Sequence, residues 1–139
     1  MGRGILLDYH AWCERKGIDN QPLSNPARIT ASMLRQVAAD QGTEIKFGDI
    51  LLIRSGYMHA ISDMTGAEFA NLKQTHADAF VGLEHGEETL AFLWDHFSAA
   101  GGHQPGLECA PPLDDIPRLH DQILCKFYLC TAQLSQLAL

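Results

Sequence analysis

Gly48-Asp49-Ile50-Leu51-Leu52-Ile53-Arg54-Ser55-Gly56 is the stretch on which the fold turns. A Gly-Asp turn leads into four apolar residues in a row, and Arg-Ser-Gly ends the run. Continuous apolar runs of this length predict a fully buried strand, one that sits in a sheet covered by helices. Gly4-Ile5-Leu6-Leu7-Asp8 reads the same way, and its terminal carboxylate suits a strand end that points into a site. Most independent domains do not open on a central strand. The expectation is therefore a unit truncated relative to a larger parent fold.

Helical signals lie between and after these runs. Tyr9–Lys16 reads as a short helix or turn closed by Gly17, and Asp19–Arg28, with two prolines and two asparagines, as a loop. Thr30 caps a predicted helix to Gln41 with Met33, Leu34, Val37 and Ala38 on one face and Gly42 as its stop. Ile45 and Phe47 alternate with polar neighbours before the decisive run. Thr65-Gly66-Ala67-Glu68 is a capping box, opening a helix that carries Phe69, Leu72, His76 and Phe80. A further helix spans Glu87 to Phe97 with Leu90, Leu93, Trp94 and Phe97 as its stripe. Ala99–Pro105 is a short strand or a close-packed loop, and a last helix runs from Ile116 to Tyr128. Strands alternating with helices give an α/β class with a mixed sheet flanked by helices, in one domain over residues 1–139.

Composition narrows the partners. Ten basic against seventeen acidic residues give a net charge of −7, which argues against nucleic acid, whose affinity comes from Lys and Arg on phosphates. No signal peptide or apolar run of membrane length is present. Cys13, Cys109, Cys125 and Cys130 form no CxxC pair, so reduced thiols in the cytoplasm are the expectation.

The familiar catalytic signatures are missing: no GxSxG, HExxH, Walker A or GxGxxG. His10 and Cys13 have helical spacing, but a lone pair is as well explained by packing. His76 and Asp78 stand two apart, a spacing that does not share a helix face. His120 is the best single candidate. It falls with Ile116, Ile123, Leu124 and Phe127 on one face of the last predicted helix, so its ring is expected to be partly buried.

Three stretches, Gly2–Tyr9, Gly48–Gly56 and Phe80–Glu84 running on to Phe92–Asp95, together resemble the putative cyclase family, which includes kynurenine formamidases and isatin hydrolases. Gln104-Pro105 and Leu119-His120 continue the pattern. The resemblance implies a swivelling β/β/α fold and hydrolysis of a small amide, or a related ring closure, at a divalent metal that activates water. It also implies a His and a carboxylate near the C-terminus as ligand or proton shuttle.

The departures are specific. The family's His-x-Gly-Thr-His-x-Asp ligand motif lies ahead of the segment matching Gly2–Tyr9, and these 139 residues do not contain it. The late His corresponds to His120, but its carboxylate partner is replaced by Gln133, which cannot exchange a proton at neutral pH. A Gly-Met-Pro-like turn reads Tyr128-Leu129-Cys130, and the Asp of an Asp-x-Pro triplet is replaced by His103.

Two readings follow. The first is a reduced enzyme acting on a small aromatic or polyketide-like metabolite without metal or other cofactor. His120, His103 and Gln133 would work at its site, and Arg54 and Tyr57 would hold substrate. The second is a non-catalytic partner or vestigial fragment of a cyclase-family hydrolase that associates with itself or with another chain. Either way a homodimer or larger assembly is expected, because a reduced domain exposes apolar surface.

Overall fold

A computed structural model describes residues 2–20, 22–23, 28–75, 79–112, 116–126 and 130–133. The pair His76 and Asp78 and the residues Tyr128 and Leu129 lie outside them. The elements are β1 (Gly4–Asp8), α1 (Tyr9–Lys16), β2 (Arg28–Ile29), α2 (Ala31–Gln41), β3 (Asp49–Arg54), α3 (Tyr57–Ser62), α4 (Gly66–Thr75), β4 (Gly82–Leu83), α5 (Glu87–His96), β5 (Phe97–Gly102), α6 (Leu119–Lys126) and β6 (Cys130–Gln133).

The two apolar runs are neighbours. The main sheet has the order β1-β3-β5-β6, and β1 meets β3 with Ile5 opposite Leu51, Leu7 opposite Ile53 and Asp8 opposite Arg54. Every described pairing in this sheet is parallel. The antiparallel part of the expected mixed arrangement is an isolated bridge between Phe80 and Ala110.

Burial then departs from the sequence expectation. Ile5, Leu7, Leu51 and Ile53 enter one core with Leu34 and Val37 of α2, Phe92 and Leu93 of α5, and Leu119 and Ile123 of α6. Leu6 and Leu52, paired on the other face, are 50 % and 37 % exposed. Strands β1 and β3 are thus buried on one face only. A run of apolar residues does not reveal which alternate set lacks a cover.

Local chemistry fixes the helices. Asp8 accepts from the Ala11 N–H at the start of α1, and Thr30 accepts from the Met33 N–H at the start of α2. Gly17 and Gly42 close these helices in the left-handed region that glycine enters without a Cβ penalty. At α4, Thr65 and Glu68 exchange the hydrogen bonds of a capping box.

Other expectations are corrected. α4 ends at Thr75, so Phe80 is not on it. Trp94 is 50 % exposed, while Thr89, Phe92 and Leu93 form the buried side of α5 and Phe97 opens β5. α6 starts at Leu119, leaving Ile116 exposed ahead of it.

A second, two-stranded sheet, β2 beside β4, positions the chemistry. Residues 107–110 run along β4: Leu83 N–H donates to Leu107 O and Cys109 N–H to Leu83 O, both at 2.9 Å. Gly82 permits this close approach, since a Cβ there would collide with the Glu108–Cys109 backbone.

Candidate functional site

In a parallel sheet the C-terminal strand ends share one edge, and each helix leading into a strand begins at that edge. Asp8, Arg54 and Gly102 end their strands there, with Gln133 opposite Gly102, and α5 and α6 start there. Two groups of side chains occupy this end of the molecule.

The first is centred on Glu108. Leu119 N–H, at the start of α6, donates to Glu108 Oε2 at 2.6 Å, and His120 Nδ1 pairs with Glu108 Oε1. His85 Nε2 lies 3.1 Å from Glu108 Oε2, off the line that a directional N–H···O bond needs. On the other edge of the His85 ring, Nδ1 is 3.6 Å from Cys109 Sγ. The side chains grade from solvent inward: His120 is 44 % exposed, Glu108 14 % and His85 0 %.

Such a carboxylate fixes the orientation and tautomer of the imidazole that donates to it. With Nδ1–H given to Glu108, Nε2 of His120 is the basic atom and part of its ring is open to solvent. Asp121 Oδ1, 3.3 Å from that Nε2, is 63 % exposed, and solvent screens the contact. Cys109 is buried, and burial pushes its thiol up, so at neutral pH it is a thiol and not a poised nucleophile.

The metal implied by the resemblance does not fit these donors. His85 turns its two nitrogens to Glu108 and Cys109 in opposite directions, so the side chains form a line and not a cage about one point. Among the described residues no three His, Cys, Asp or Glu side chains are arranged to hold an ion. His10 and Cys13 do not join either, since His10 faces Glu14 and Cys13 is sealed in the core.

The second group is a cleft of about 250 Å³ lined by residues of β1, β3, α3 and the end of β5, among them Leu6, Leu52, Arg54, Ser55, His59 and His103. Arg54 Nη1 donates to Asp8 Oδ2 at 2.8 Å. Gly56, at φ +91°, lets the chain turn over His10, where a Cβ would sit 2.6 Å from Nδ1 of His10. Asn20 Nδ2 donates to Ser55 O at 2.8 Å, and Ser55 Oγ donates to Gln104 Oε1 at 3.3 Å.

Arg54 and His103 therefore meet in the cleft, and Gln133 is beside it only as the backbone partner of Gly102. Tyr57 does not line the cleft. It packs edge-on against Phe80 at 6.5 Å, and burial raises its hydroxyl pKa. His120 belongs to the other group. Its ring is more open than the expected helix face implied, because Leu119 and Ile123 carry the buried side. Glu108, His85 and Gln104 were not among the sequence candidates: only the β4 bridge brings Glu108 to His120, and no helical or strand spacing encodes that.

The Cyclase family profile, described as putative cyclase, matches residues 1–107. This chain belongs to the putative cyclase family. The match takes in β1 to β5 and the cleft, and stops one residue short of Glu108. The fold is also similar to the crystal structure of a novel cyclase, at a TM-score of 0.62 and 25 % identity, over 80 % of this chain and 34 % of that one. This cyclase-family chain thus spans about a third of that protein's length. No curated protein matches it. Among the described residues no helix is long and apolar enough to cross a membrane.

Proposed function

We propose that this protein acts on a small aromatic or polyketide-like metabolite, hydrolysing an amide or lactone or closing a ring, with His120 as the acid–base group and no resident metal. One observation carries the reading: a half-open imidazole is held through Nδ1 by a largely buried carboxylate. Nε2 of His120 takes a proton from the attacking water or hydroxyl. The carboxylate of Glu108 stabilises the imidazolium, which returns the proton to the departing nitrogen or oxygen. Such a group accounts for about 10²–10⁴ in rate. Gln133, a neutral amide, takes no part in proton transfer.

The test is turnover of N-formylated aromatic amides, cyclic amides and lactones by wild type and His120→Ala, with melting temperature alongside. Activity lost in a folded variant supports the proposal. Wild-type activity in a variant that melts earlier makes His120 structural. Elemental analysis is expected to find no stoichiometric zinc or manganese, and about one metal per chain would revive a metal hydrolase.

A second reading rests on the exposed pair Leu6 and Leu52: a non-catalytic partner that associates through the open face of the sheet. No turnover by either protein, with both folded, favours it. A dimer or larger assembly by light scattering is expected under both readings, and a clean monomer at micromolar concentration counts against association through exposed apolar surface.

A further inference from the structure

We infer that the cleft at the ends of β1, β3 and β5 is a binding site for a small, flat carboxylate, distinct from the His120 centre and independent of whether that centre is catalytic. Its floor is apolar. Leu6 and Leu52 are exposed there with Met58 beside them, and a ring laid on them removes surface that the sheet leaves wet. Its rim carries the Arg54 guanidinium and two imidazoles, His59 and His103, brought together from β3, α3 and the residue after β5 in a chain whose net charge is −7.

Asp8 is the acidic group facing this rim, and it takes one edge of Arg54. A guanidinium has five N–H donors in a planar fork, so Arg54 can hold Asp8 and still offer N–H groups to a second carboxylate. His59 has Asp63 3.8 Å away, and both are largely exposed, so that contact is loose.

The wall behind the rim is tightly packed. Gln104 is 1 % exposed, and its amide lies against Gly102, where a Cβ would overlap it. Its Oε1 accepts from Ser55, but Nε2 has no partner. Ser55 and Gly102, the two residues this amide touches, both line the cleft. The apolar floor and the Arg54 guanidinium on the rim together select a ring that carries a carboxylate. The volume limits it to one ring or a compact bicycle.

Benzoate is the probe and benzyl alcohol, similar in shape but neutral, its control, each titrated into ¹⁵N-labelled full chain by NMR. Benzoate is expected to shift the amides of Arg54, Ser55, Gly56, His59, Gly102 and His103, and to bind about tenfold more tightly than benzyl alcohol. Arg54→Gln is expected to lose about that factor for benzoate and nothing for the alcohol. Shifts that map elsewhere, no shifts at all, or equal binding of the two compounds would overturn the inference. Should Arg54→Gln fail to fold, the comparison of the two compounds on wild type still decides. His120→Ala is expected to leave benzoate binding unchanged, which keeps the fate of this site separate from that of the acid–base centre.

Discussion

The cleft and the Glu108 cluster lie at the same end of one sheet, but they are assembled by different means. Strand register builds the cleft: Asp8 faces Arg54 because β1 and β3 are parallel and in step, and Gly102 and His103 follow from the next strand over. The cluster is built from three connections. His85 precedes α5, Glu108 rides on a bridge to β4, and His120 sits in the first turn of α6. Regular secondary structure thus supplies a shaped surface with charge on its rim, while an irregular segment supplies the carboxylate that meets His120. The family match covers the first and, of the second, takes in His85 but neither Glu108 nor His120.

Gly82→Ala separates the two most sharply. A Cβ there strikes the Glu108 backbone, so the bridge must move, at a cost of about 3 kcal/mol, the upper end for overpacking. The cluster should come apart while the amides of Arg54 and His103 keep their NMR positions. Loss of both regions together would show that they are one unit.

His85→Ala comes next. It removes a fully buried ring and leaves Glu108 without its inner partner, and a loss of about 2 kcal/mol is expected by chemical denaturation. An unchanged midpoint would mean that the Glu108 contact is not stabilising.

The smallest effect concerns the opposite edge of the sheet, where Arg3 donates to both oxygens of Asp49 and the Lys46 N–H donates to Asp49. The Arg3 guanidinium first, and the Lys46 N–H after it, hold the Asp49 pKa down at about 2. A depressed carboxylate contributes stability that is present above its ordinary pKa near about 4 and is lost as pH falls toward 2. Asp49→Asn should therefore flatten the acid limb of stability between those values, lowering cleft and cluster alike. An unaltered acid limb would mean that the pair does not clamp β3.

The sequence made the register-built half legible. Two apolar runs mark β1 and β3, and Thr30 and Gly42 bound α2. The uncovered face of the strands was not legible, because Leu6 and Leu52 are as apolar as the residues buried beside them. Nor was Glu108. It pairs with His120, yet it lies twelve residues before it, across an irregular connection fixed by the space above Gly82. The two-residue strands β2 and β4 that create this bridge are too short to leave a periodic signal.

The central claim is that Glu108 orients His120 as a base, and the tautomer of that ring tests it without any substrate. Long-range ¹H–¹⁵N correlation spectra of the neutral imidazole, compared between wild type and Glu108→Gln, read the protonated nitrogen directly. Nδ1–H with an unprotonated Nε2 is expected in wild type, and a shift toward the Nε2–H form in the variant. An Nε2–H tautomer in wild type, or the same mixture in both proteins, would contradict it.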